Sequence, residues 1–231
     1  MIRQSIEGSI ATIALDRPEA RNALNLEMCE ALIQHTKTLD ARLVFVRGNG
    51  PVFCGGADLN ERKGKSEQWI RERRMRAFAA YAALESLPMP CIALVHGAAI
   101  GSGVEIAAAC DFIVATPDAT FRTPEAQRGT VGATQRLPRI LGKRLAKDMM
   151  FTGRALTAEE AREAGLVARI GKLEEEKRAI TEAILKAPAL ALQLAKRTID
   201  RGIELDPRGA LAAEIEAIEE QLASGQWMGK A

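Results

Sequence analysis

Two carboxylates and two glycine-rich turns are the residues of this chain best equipped for chemistry. In "HGAAIGSGVEIAAACD", residues 96–111, glycines flank Ser102 between a strand and a helix, and Glu105 follows one turn later. Such a turn can hold a dinucleotide phosphate at the helix start, or it can aim backbone N–H groups at a developing oxyanion. The dinucleotide fingerprint needs a small residue three positions after its second glycine, where helix and strand pack closely; here that position is Ile106. The nucleotide reading is therefore weak. The second turn, "FCGGADLN", also follows a strand and offers amides around Ala57. Alone, Gly55-Gly56 reads as a tight turn needing positive φ; facing a second such turn, each contributes one N–H to an oxyanion hole. "FRTPEAQRG" sets Glu125 just past a strand end. A lone glutamate there is ordinarily solvated, but Glu105 and Glu125 in one pocket would form a pair able to share general acid and general base work on one water.

The rest of the composition narrows the chemistry. Only His35 and His96 supply imidazoles, too few for a histidine-rich metal site and awkward for a histidine-based triad. Cys29, Cys54, Cys91 and Cys110 lack metal-ligand spacing, and the chain shows neither a signal peptide nor an apolar run of membrane length. Free thiols and a cytoplasmic location are expected. The net charge of +2 points to no nucleic acid or membrane partner, so anion recognition must be local. With 231 residues, 47% of them hydrophobic and 27% charged, the chain is long enough to bury a substantial core.

Elements able to position these groups follow from periodicity. "IRQSIEGSIATIALDRP" reads as a hairpin turning at Glu7-Gly8, and residues 25–39 as an amphipathic helix capped by Asn25, with Met28, Leu32 and Leu39 on one face. "RLVFVRG" and "CIALVHG" read as buried strands, "DFIVATP" and "ATFRTP" as two shorter ones. Residues 66–87 read as a helix with Met75, Phe78 and Ala82 on its apolar face, ended by "PMP". The recurrent unit is strand, strand, helix, which predicts a layered α/β core. Beyond residue 172 strand signals fade; Leu211, Ile215, Ile218 and Leu222 predict a helix with one apolar stripe.

In this order "RPEARNALN", "FCGGADL", "GAAIGSGVEIAAACD", "FRTPEAQRG" and "TQRLPRILG" resemble the enoyl-CoA hydratase/isomerase (crotonase) family, over about residues 8–200. The resemblance implies an α/β crotonase-like spiral of ββα units, residues 1–172, holding the acyl-CoA site. It implies a helical C-terminal trimerisation region, residues 173–231, and a homotrimer or a hexamer built as a dimer of trimers. It also implies an enoyl-CoA hydratase that adds water to a trans-2-enoyl-CoA. The thioester oxygen would be held by the N–H groups of Ala57 and Ser102, a contribution of about 3–4 kcal/mol per donor in other enzymes. Glu125 would protonate the α carbon while Glu105 deprotonates the water. CoA, the thioester carrier, would lie along Ala20, Arg21, Ala57, Asp58, Leu59, Asn60 and Ser102, and no metal or redox cofactor is implied. Arg62, Lys63 and Lys65 could meet the nucleotide phosphates, or simply form a solvated face; Asp58 reads better as a helix cap than as a ligand. The glycines around Ser102 read as clearance for the thioester.

Two departures matter. The segment after Thr130 is a few residues shorter than in the family pattern, which bears on where Glu125 sits. It also lacks any acid between Gly129 and Asp148, which argues against dienoyl-CoA isomerisation. The C-terminus is short as well, with Trp227 and Lys230 as candidates to close the CoA site. The competing functions are another acyl-CoA reaction of the same family (isomerase, decarboxylase or thioester hydrolase), a non-catalytic CoA-binding relative, and a nicotinamide oxidoreductase.

Overall fold

The computed structural model describes residues 1–225. The chain opens with the expected hairpin, β1 (Ile2–Glu7) and β2 (Ile10–Leu15), turning through Gly8 at φ +60°. Helix α1 (Leu26–Lys37) starts where the Asn25 side chain accepts from the Met28 N–H, a cap worth about 1 kcal/mol. Then come β3 (Leu43–Gly48), α2 (Glu67–Glu85), β4 (Cys91–Val95), β5 (Ala98–Ile100) and α3 (Ser102–Ala108). They are followed by β6 (Phe112–Ala115), β7 (Thr120–Arg122), α4 (Arg136–Thr152), β8 (Ala155–Thr157), α5 (Ala158–Glu163) and β9 (Arg169–Ile170). Three helices close the described chain: α6 (Leu173–Lys186), α7 (Ala189–Gly202) and α8 (Pro207–Ala223).

The strand–strand–helix unit sorts its two strands into two sheets. Strands β2, β3, β4, β6 and β9 lie side by side and parallel in a six-stranded sheet of order β1-β2-β3-β4-β6-β9, with β1 antiparallel at its edge, while second strands form the sheet β5-β7-β8. After β3 the second strand shrinks to a bridge between Cys54 and Ala99. Parallel strands covered on both faces need continuous apolar sequence, and β4 supplies it: every residue of "CIALV" is buried. One face packs under α1 to α5 in the main core; on the other, Ile180 of α6 packs with Leu43, Phe45, Ile92, Leu94 and Val114. Thus α6 shares the sheet's core, although it belongs in sequence to the alanine- and glutamate-rich C-terminal region.

Two expected helix faces are corrected. On α2 the buried residues are Arg73, Ala77, Ala80, Tyr81 and Leu84, whereas Met75 and Phe78 are exposed. The face is rotated because Arg73 goes inward, pairing with Glu61 and donating to the Leu24 carbonyl. On α8 the stripe Leu211, Ile215, Ile218 and Leu222 points away from the chain's own core, and the buried residues are Ala213 and Ala217. The four cysteines are free and buried. No helix among the described residues is long and apolar enough to cross a membrane.

Candidate active site

The site starts from the loop after β2. Asn22, fully buried at φ +54°, accepts from the Arg17 N–H, and its amide donates to the carbonyls of Asn49, Val52 and Phe53 at 2.8, 2.9 and 3.1 Å. One side chain thus clamps the segment leading into the first glycine turn. Beyond the clamp the backbone runs extended between two neighbours. Cys54 N–H donates to Ala98 and Cys54 O accepts from Ile100, while Leu24 N–H donates to Gly56 and Leu24 O accepts from Asp58. The residues on either side of Ala57 face Leu24, which turns the Ala57 N–H the other way, into a cleft of about 650 Å³ counting its mouth.

The resemblance assigned Ala20, Arg21 and Asp58–Asn60 to CoA. Ala20 ends a one-turn helix, and Arg21, at φ +55°, accepts the Gly55 N–H, so this loop backs the turn. Asp58 is a strut: one oxygen accepts from Arg17 at 2.5 Å and the other from the Asn60 N–H at 2.9 Å, one residue ahead of the N-cap position, which Leu59 occupies. Leu59 is exposed at the edge of the cleft and Asn60 is exposed beside it.

The second turn supplies the facing wall. Gly101 adopts φ +50° and Ser102 begins α3. The glycine clearance is used by the protein itself, which corrects the expectation of space for a thioester. A Cβ on Gly103 would stand 2.6 Å from the Cys54 carbonyl oxygen, and one on Gly101 would stand 2.5 Å from Glu125 Oε1. The first contact brings the two turns together, main chain against main chain; the second admits the carboxylate. Among the described residues, no acceptor in the chain takes up the N–H of Ala57 or of Ser102. Two unsatisfied donors at the rim of one cleft are competent to hold an anionic oxygen.

Glu105 and Glu125 line that same cleft, so the shortened segment after Thr130 does not displace Glu125 from it. The segment instead turns tightly through Ala133, a non-glycine residue at φ +56°, whose N–H faces the Glu105 carboxylate. It delivers Arg136 as well, which meets Glu105 at 3.2 Å, also pairs with Glu85 and lies over the Tyr81 ring. Burial raises the pKa of both glutamates. Against that, Arg136 and the Ala133 N–H pull Glu105 back toward ionisation. Glu125 has its own N–H, the more distant charges of Arg128 and Arg74 working the same way, Glu105 working against it, and one buried oxygen with no hydrogen-bond partner.

Four residues in or beside the cleft carry roles that the sequence reading does not assign. Tyr81 turns its hydroxyl toward the Ser102 hydroxyl, and burial raises its pKa. Arg74 stands in a basic run that reads as a solvated face, and Arg136 in the segment "TQRLPRILG", which carries no assigned role. Arg62, which the sequence groups with Lys63 and Lys65 as a phosphate contact or a solvated face, turns into the cleft, while the two lysines are exposed. Only its inclusion in a run of mixed polarity, "ADLNERK", hinted at that. Trp227 and Lys230 lie outside the described residues.

A family model described as enoyl-CoA hydratase/isomerase matches residues 5–227. The short-chain-enoyl-CoA hydratase of Clostridium acetobutylicum is 35% identical over 225 residues, covering 93% of this chain and 86% of its own length. The enoyl-CoA hydratase structure from Mycobacterium smegmatis superposes with a TM-score of 0.92 at 31% identity, over all of this chain and 92% of that one. A Thermobifida fusca structure in complex with acetoacetyl-CoA superposes at 0.89, with 27% identity over 96% of this chain and 95% of that one. These likenesses cover both sheets and the C-terminal helices alike, and the chain belongs to the enoyl-CoA hydratase/isomerase family, with its crotonase fold.

Proposed function

We propose that this protein is an enoyl-CoA hydratase acting on trans-2-enoyl-CoA thioesters. The observation that carries the reading is the presence of two glutamates in unlike environments in one cleft, with two unsatisfied backbone donors. Glu105, held by a cation and an N–H, suits the carboxylate that takes a proton from water as the oxygen bonds to the β carbon. Glu125, buried with an unpartnered oxygen, suits the carboxylic acid that gives its proton to the α carbon. Between these transfers the thioester oxygen carries negative charge, and the N–H groups of Ala57 and Ser102 stabilise it. One proton enters the product from Glu125 and one passes from water to Glu105, so a proton shift between the two restores the resting state. The chain's own groups suffice, with CoA as carrier and no metal or redox cofactor.

The names of the Clostridium and Mycobacterium relatives support the same reaction, and the acetoacetyl-CoA complex supports the substrate class. We extend the reading to assembly: the uncovered apolar stripe of α8 fits a homotrimer, or two stacked trimers, formed through the C-terminal region.

Purified protein mixed with trans-2-enoyl-CoAs, beginning with crotonyl-CoA, should remove the absorbance of the conjugated thioester. A double-bond isomerase would instead generate that absorbance from a 3-enoyl-CoA. Generation without removal would overturn the hydratase reading in favour of the isomerase.

A further inference from the structure

The cleft carries more positive charge than its two glutamates use. Arg73 is engaged by Glu61 and by the Leu24 carbonyl, and Arg136 by Glu85 and Glu105. Arg62, Arg74 and Arg128 line the cleft and meet no carboxylate at ion-pair distance among the described residues; of the three, Arg128 is exposed to solvent, whereas Arg62 and Arg74 are half-buried. Arg74 donates to neutral acceptors, the Thr130 hydroxyl and the Val131 carbonyl, and the buried Nε of Arg62 has no partner at all. Burial, then repulsion from Arg73 and Arg74, pushes the Arg62 pKa down, and the charge of Glu61 only partly opposes this. Adjacent, partly buried cations without counter-charges are destabilising unless an anion arrives.

We propose that Arg62 and Arg74 receive a carboxylate at the far end of the acyl group, so that the preferred substrate is an ω-carboxylated enoyl-CoA; this rests on the acyl-CoA reading above. The catalytic glutamates are poor candidates for that anion. Glu125 leaves an oxygen unpartnered while Arg74 binds a hydroxyl and a carbonyl nearby. The CoA phosphates are poor candidates too. Arg74 acts electrostatically on Glu125 and so sits at the reacting end of the cleft, whereas the phosphates lie at the other end of the pantetheine arm. A guanidinium is suited to the remaining possibility, since its fork of N–H donors matches a carboxylate.

The test compares two saturated five-carbon thioesters, glutaryl-CoA and pentanoyl-CoA, by calorimetric titration of the wild-type protein. Neither contains a double bond to hydrate, so the comparison reads charge preference whether or not the chain is a hydratase. Glutaryl-CoA should bind at least about tenfold tighter, or roughly 1.4 kcal/mol. Arg62→Met and Arg74→Met should each shrink that ratio, and the double variant should bring it near one without weakening pentanoyl-CoA. Equal affinities in the wild type overturn the proposal, with no variant needed, as does a ratio that survives in a folded double variant. A tenfold preference in a protein that hydrates no enoyl-CoA would sustain the carboxylate site and remove the hydratase reading alone.

Discussion

Glu105 grows from a helix buried along nearly its whole length, whereas Glu125 stands at the edge of a loop whose next four residues are exposed. The first wall is built of fixed partners: Val104 and Ile106 locked in the core, Arg136 at 3.2 Å, and the Ala133 N–H. The second wall holds its carboxylate by fit, with Gly101 and Gly132 leaving room that any side chain would fill. Two identical residue types are thereby prepared for opposite duties. A base needs a stabilised charge and a fixed direction; an acid needs a place where the charged form is disfavoured. The difference lies in the neighbours.

Four substitutions would break or sharpen that contrast. The largest effect is expected from Glu125→Gln, which keeps shape and removes the transferable proton: kcat should fall by about 10³-fold, within the range of general acid catalysis. Steady-state hydration assays should show a loss of the same order for Glu105→Gln, and activity surviving either change would dissolve the pair. Next comes Gly101→Ala. Its Cβ would meet Glu125 Oε1 at 2.5 Å on a backbone at φ +50°, so displacement of the carboxylate should cost about 100-fold in kcat. The same change in a Glu125→Gln background should cost much less, and that non-additivity locates the damage on the second wall. The smallest effect is expected from Arg136→Met. Without the cation Glu105 becomes a weaker acid, so its deprotonated form appears at higher pH. The acid limb of the kcat/KM profile should move upward while the basic limb, set by Glu125, stays in place. Movement of both limbs would mean the walls titrate as one unit.

Much of this arrangement was legible beforehand, and for physical reasons. Strands such as β4 are read from apolar runs, and the glycine turns and both glutamates stand in motifs short enough to survive reading in one dimension. Charged residues turned inward were not legible. Arg73 carries the signature of a solvated face, and only a carboxylate and a carbonyl distant in sequence, Glu61 and Leu24, make its burial tolerable. Arg136 is the same lesson from the other wall, since its partners Glu85 and Glu105 belong to different helices. The α8 stripe shows the converse: periodicity at Leu211, Ile215, Ile218 and Leu222 announces an apolar face without saying what covers it. Ala133 defeats the turn rules outright, because a left-handed position occupied by alanine carries no glycine or asparagine to announce it.

The approach of the two turns, with Gly103 against the Cys54 carbonyl, is made main chain to main chain, on a segment that the Asn22 side chain clamps. Nothing in the separation of the Ala57 and Ser102 amides depends on what their side chains are. A pair of donors positioned in this way is insulated from mutation in the surrounding pocket. Carboxylates and arginines can be exchanged around it, altering which thioester is taken and where its protons go, while the electrophilic anchor stays still. Its conditions are few: glycine at 56, 101 and 103 and the Asn22 clamp, which makes these the positions where drift in this scaffold should be least tolerated.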